Sequence, residues 1–241
     1  MTTLLKTNPD IYPETDGKPM SENTEHYRWI VTIKENLEIL YAADANVFVA
    51  GDLLWYPVEN KQDPKSAPRV GPDVMVIFGV PKGKRGSYQQ WMEGDIAPQV
   101  VFEIRSPGNE TGEMRDKFDF YQQYGVEEYY LYDFTRFALD GWQRRGERLE
   151  PILNMNGWVS PRLGIRFLMT TEDLEVYRPD GRRFLTSVEL EERAEMAESR
   201  LEQAEAQLEQ TESRLNQLTA QLSNLSTEQL KALGIDPELL G

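Results

Sequence analysis

The chain has 241 residues, 39% of them hydrophobic and 28% charged, and 26 basic against 41 acidic residues give it a formal net charge of −15. Collagen-like, mucin-like, wholly disordered and membrane-spanning classes are excluded by that composition, and no run of about 18 apolar residues occurs. With no cysteine and one histidine, His26, disulfides, thiol nucleophiles, cysteine-held zinc and iron–sulfur clusters are ruled out and little room is left for histidine chemistry. An active site must then be built from carboxylates, lysine, arginine, serine, threonine and tyrosine, a donor set for hard, oxygen-ligated metals. Residues 1–13 lack the basic and apolar regions of a secretory leader, so a cytoplasmic location away from membranes is expected.

In chain order, residues 1–24 form an N-terminal extension. Residues 25–43 predict a helix with Ile30, Ile33, Leu37 and Leu40 on one face. Apolar runs at 47–50, 53–58, 74–78 and 100–104 read as strands. Residues 113–124 read as a second helix ended by Gly125, and 128–134 as another strand. Short antiparallel strands are expected at 139–144, 148–153, 165–169 and 176–177. This order predicts an α/β or α+β domain over 25–186, with a mixed sheet and flanking helices.

Beyond residue 188 glycine and proline disappear until Gly234. One seam of Ala194, Leu201, Leu208, Leu215 and Leu222 alternates with another of Leu190, Ala197, Ala204, Thr211, Leu218 and Leu225 at spacings of four and three. A coiled-coil helix over 187–225 is expected, with homodimerisation as the first use for its stripe; packing back on the body or a tail hairpin are the alternatives. Ser226 or Thr227 is placed to cap a short final helix in the 226–241 tail. The charge divides unevenly, −8 from residue 187 onward and −7 before it, which argues against an extended basic nucleic-acid surface but permits a local patch.

Three features of the body carry chemistry. Asp73 follows Gly71-Pro72 at the mouth of the apolar run Val74 to Phe78, where an acid commonly caps a turn. Glu103 lies within Val100-Val101-Phe102-Glu103-Ile104-Arg105, on the strand face opposite Val100, Phe102 and Ile104. Buried there, it must be paired, metal-bound or facing a cleft. Lys117 shares the inward helical stripe of Met114, Phe118 and Tyr121, although a snorkelling stem is the ordinary reason for such a placement. Together, two carboxylates and an ammonium are what metal-assisted phosphodiester hydrolysis requires. The acids hold Mg²⁺, and the lysine orients water or stabilises the transition state.

The segments Gly71-Pro72-Asp73-Val74, Ala97-Pro98-Gln99-Val100-Val101-Phe102-Glu103-Ile104-Arg105-Ser106-Pro107-Gly108, Asp116-Lys117-Phe118 with Tyr121, and Glu128-Tyr129-Tyr130-Leu131-Tyr132-Asp133 resemble the Uma-two-type endonucleases. That family belongs to the restriction-endonuclease-like PD-(D/E)XK superfamily. The resemblance implies a restriction-endonuclease-like core and a Mg²⁺-dependent DNA endonuclease, with Mn²⁺ as an alternative metal. Asp73, Glu103 and Lys117 are its implied catalytic residues, and Asp73 and Glu103 its metal ligands. The usual lysine slot, two after Glu103, holds Arg105, which stays cationic and can bind phosphate but cannot accept a proton. Glu38 is a further candidate metal ligand, Asp116 a candidate support for the metal ligands, and Tyr121 a candidate site wall.

Lys82, Lys84 and Arg85 form a basic loop between the two acid-bearing strands and, with Arg105, are candidate DNA contacts. The same cations also suit a solvated turn. Gly79-Val80-Pro81-Lys82-Gly83-Lys84-Arg85-Gly86 lacks the Lys-Ser/Thr ending of a phosphate loop, and neither Gly-x-Ser-x-Gly nor His-Glu-x-x-His occurs. A DNA endonuclease is therefore the leading expectation. The alternative is a catalytically inactive nuclease-fold module that binds nucleic acid or protein and assembles through its coiled coil.

Overall fold

A computed structural model describes residues 12–15, 17, 23–106, 111–232 and 234. Most of the N-terminal extension, Pro107 and Gly108 after the second acid-bearing strand, and Leu233 lie outside the described residues. The chain divides into two compact units, residues 1–186 and 187–241. No helix among the described residues is long and apolar enough to cross a membrane.

The first unit opens with α1, Thr24–Leu40, whose N-cap Asn23 accepts a hydrogen bond from the His26 amide at 2.9 Å. A six-stranded sheet follows the order β1 (Val47–Gly51), β3 (Val74–Phe78), β5 (Val100–Arg105), β6 (Glu128–Asp133), β7 (Ala138–Arg145) and β8 (Arg148–Pro151). Its neighbours are antiparallel except β5 and β6, which run parallel because α2, Thr111–Gln123, carries the chain across between them. Gly125, at φ 90°, turns the chain out of α2 toward β6.

The sheet is covered on both faces, which accounts for the near-continuous burial of β3, β5 and β6. On one face Trp29, Ile30, Ile33 and Leu37 of α1 pack with Val74, Val76, Val100, Phe102 and Ile104. On the other, Met114 and Tyr121 of α2 pack with Met75, Ile77, Val101, Tyr129 and Leu131. Glu103 projects onto the α2 face by the alternation of β5.

The expected strand over 53–58 is reduced to β2, Trp55–Tyr56, which pairs in parallel with β4, Tyr88–Gln89, outside the main sheet. Asp52 takes a left-handed φ of 47° directly after β1 and turns the chain away from β3. The remaining ribbon joins β9, Arg166–Met169, to β10, Leu174–Tyr177, antiparallel.

The second unit contains α3, Ser187–Ser223, a 37-residue helix with no buried residue. It ends before α4, Thr227–Ala232. Ser226 caps α4 reciprocally: its Oγ accepts from the Gln229 amide at 3.3 Å, and its own amide donates to Gln229 Oε1 at 2.9 Å.

Candidate active site

Antiparallel pairing of β3 with β5 sets Val74 opposite Phe102. One residue further along, Asp73 reaches Glu103's end of β5. Asp73 is 7% exposed, and its Oδ2 accepts a hydrogen bond from the Ile104 amide at 2.6 Å. The same Oδ2 lies 3.1 Å from Nε2 of His26, in the first turn of α1. Among the described residues Oδ1 has no hydrogen-bond partner.

Glu103 is 1% exposed. Its Oε2 accepts from Lys117 Nζ at 2.7 Å, and its Oε1 accepts a hydrogen bond from the Tyr121 hydroxyl. Lys117 Nζ also donates to the Gly71 carbonyl at 3.3 Å, tying α2 to the turn that presents Asp73. The spacing of Lys117 and Tyr121, four residues on one face of α2, allows both to reach one carboxylate.

Burial pushes the Glu103 carboxyl up to about 8; Lys117 pulls against the rise and Asp73 adds to it. Burial also disfavours the Lys117 ammonium, yet Glu103 and Asp73 hold it protonated above the ordinary lysine range. Burial and Glu103 likewise raise the Tyr121 hydroxyl, so it stays a donor. The hydroxyl of Tyr129, whose ring centre lies 5.1 Å from that of Tyr121, is buried without a hydrogen-bond partner among the described residues.

Asp73, Glu103 and Lys117 thus come together at one end of β3 and β5, with Tyr121 as a direct partner of Glu103. Asp116 faces solvent on the outer side of α2. Arg105 is 28% exposed, with Nε 4.0 Å from Asp133 Oδ2.

Glu38 does not join the two acids. Twelve residues beyond His26 on α1, it stands roughly 18 Å further along the helix axis. It binds Lys34 Nζ at 2.9 Å and lines a depression with Val47 and Lys82.

The basic loop begins at the opposite end of β3 from Asp73. Lys82 Nζ donates to the Tyr41 and Ala42 carbonyls just past α1, at 2.5 and 3.1 Å, so its charge is spent on the helix-end carbonyls. Arg85 is held in an ion pair: it grips Glu93 through Nε at 2.5 Å and through a terminal nitrogen at 3.1 Å, with side chains 3% and 6% exposed. Its guanidinium carbon lies 4.1 Å from the centre of the Phe48 ring. Lys84 is exposed.

His26, the chain's one histidine, stands in no sequence motif. The available signal was its position four residues before Ile30, on the inward stripe of α1.

The residues fit a hydrated Mg²⁺, which is commonly held by one or two carboxylates while keeping several waters. Asp73 offers Oδ1, and Glu103 supplies the second carboxylate. No group of three or more histidine, cysteine, aspartate or glutamate side chains among the described residues is gathered for a metal, so the protein's share of such a shell would be this pair.

Two acids on antiparallel strands and a lysine on the crossover helix, set in a mixed sheet with helices on both faces, define a restriction-endonuclease-like α/β protein. The model of the Uma2 family, described as "Putative restriction endonuclease", matches residues 19–209, and the chain belongs to that family. This membership supports a nuclease-type function. Among solved structures, the chain is similar to a crystal structure titled as a putative nuclease belonging to DUF820 from Anabaena variabilis ATCC 29413. The two share 14% identity over 61% of this chain and 79% of the other, with a TM-score of 0.44. No curated protein matches the chain significantly.

Proposed function

We propose that the chain is a Mg²⁺-dependent DNA endonuclease whose catalytic residues are Asp73, Glu103 and Lys117. The observation that carries this reading is the junction of Glu103 with Lys117 at 2.7 Å, in the place where β3 delivers Asp73. When bound, Mg²⁺ supplies positive charge that favours the carboxylate form of Glu103, screens the phosphate and makes a water more acidic.

The chain's own groups divide the remaining work. Asp73 is held as an acceptor by the Ile104 amide and by His26, with Oδ1 left for a ligand. Lys117 keeps its proton, so its role is to orient water or to stabilise charge on the phosphate rather than to accept a proton. Tyr121 fixes the orientation of Glu103. Arg105, two residues after Glu103 and partly exposed, is the cation placed to meet a phosphate near the acids; Lys84 is a more distant backbone contact. A cytoplasmic location fits DNA as the substrate and the absence of cysteine.

The test is cleavage of supercoiled plasmid with and without Mg²⁺ or Mn²⁺. Metal-dependent nicking is expected, and Asp73→Ala, Glu103→Ala and Lys117→Ala should each lower it by orders of magnitude in folded protein. Equal activity of wild type and Asp73→Ala would show that the site is wrong or that the cleavage comes from a contaminant.

The non-catalytic binding module is favoured by one observation: both oxygens of Glu103 are already engaged, by Lys117 and Tyr121. A folded wild type that binds DNA yet cleaves nothing with either metal would establish that reading instead.

A further inference from the structure

We infer that α3 is one strand of a parallel, in-register, two-stranded coiled coil formed with a second copy of this chain. Leu201, Leu208 and Leu215 of the seam are 59%, 60% and 64% exposed. An apolar stripe of this regularity needs a partner, and the charges beside it identify which one.

All three arginines of α3, Arg193, Arg200 and Arg214, occupy the same place in the seven-residue repeat, directly before Ala194, Leu201 and Leu215 of one seam line. Glu198, Glu205 and Glu212 occupy another, directly after Ala197, Ala204 and Thr211 of the second line. Ion pairs within a helix need spacings of three or four. Around Arg200 those positions hold Met196, Ala197, Gln203 and Ala204, and around Arg214 they hold Gln210, Thr211, Gln217 and Leu218. Glu205 has only Leu201, Glu202, Leu208 and Glu209 at the same distances. Glu198 and Glu212 likewise have no cation at these spacings, and of the three arginines only Arg193 has an acid there, Glu189 four residues earlier.

A parallel partner supplies what is missing. In that geometry the residue before the first seam line faces the residue five positions further along the other helix. Arg193 then meets the partner's Glu198 and Arg200 meets the partner's Glu205, each pair occurring twice by symmetry. An antiparallel partner instead sets arginines against arginines and glutamates against glutamates, a like-charge arrangement that costs stability. Sliding by one repeat leaves the leucine-rich end around Leu222 and Leu225 uncovered, so the register follows from the apolar seam and the direction from the charges. This inference does not depend on the chemistry of the Asp73–Glu103 site.

The test uses the full chain in sedimentation equilibrium. Wild type is expected at twice its 27.9 kDa mass; a monomer at tens of micromolar, or a trimer, overturns the pair. Arg200→Glu and Glu205→Arg should each weaken self-association on the order of tenfold, with unchanged melting of the N-terminal unit. An equimolar mixture of the two variants should recover it as a heterodimer, and a mixture no tighter than either variant alone overturns the charge code. Since the chain has no native cysteine, Ala194→Cys and Leu222→Cys report direction on oxidation. Like-to-like crosslinks are expected, and a crosslink between positions 194 and 222 overturns the parallel arrangement.

Discussion

Lys117 Nζ stands 2.7 Å from Glu103 Oε2, with side chains 17% and 1% exposed, so the ammonium of α2 closes over a carboxylate rooted in the centre of the sheet. Removing one partner of such a buried pair leaves the other uncompensated. Above pH 8, where Glu103 is ionised, Lys117→Met should therefore destabilise the metal-free protein by about 3 kcal/mol, measured by urea unfolding. In the Glu103→Gln background the same change should cost clearly less, because no buried charge is left behind. Full additivity would mean that the two groups are not coupled in solution.

The raised proton affinity of Glu103 gives a pH dependence of definite sign. The folded protein holds a proton to about 8, whereas an ordinary glutamate releases it near 4.5. Between those values the native state binds more protons than the unfolded chain, so this group's stabilising contribution is full below 4.5 and is lost as pH rises through 8. Thermal melts of the metal-free wild type should fall across that window, and Glu103→Gln should flatten the fall. An equal slope in both proteins would place the titration elsewhere.

Binding of Mg²⁺ to the native state alone should raise the melting temperature with concentration by mass action. Glu103→Gln should remove most of the increment and Asp73→Asn should do the same, since each deletes a charge from a two-carboxylate set. Calorimetric scans at increasing Mg²⁺ check this, with Ca²⁺ as a second oxygen-seeking cation. No shift at tens of millimolar would make the two acids structural partners of Lys117 and His26.

Arg85 separates stability from DNA contact. Its buried ion pair with Glu93 predicts that Arg85→Ala lowers stability by about 3–5 kcal/mol. Lys84→Ala, at an exposed position, should leave stability within about 0.5 kcal/mol and reduce the salt slope of any DNA affinity. Unfolding curves and DNA titrations at several salt concentrations distinguish these outcomes. A stable Arg85→Ala protein with weakened DNA binding would return Arg85 to the interface.

Local periodicity already carried much of this molecule. Strand alternation put Glu103 opposite Phe102 and Ile104, helical spacing put Lys117 among Met114, Phe118 and Tyr121, and the four-three spacing of leucines gave α3 its seam. These patterns are legible because burial repeats at the period of the backbone, every second residue in a strand and every three or four in a helix. What meets across the fold has no such period. That His26 faces Asp73 depends on α1 packing over the end of β3 and β5. Tyr121 binds Glu103 because α2 lies over β5, and Arg85 is withdrawn from solvent by Glu93 in a loop eight residues further on. Glu38 is taken away from the acids by three helical turns of α1. Pairings of this kind join positions from 8 to 47 residues apart in the chain, and only the tertiary structure, by choosing which strand ends, loops and helix turns share one place, decides them.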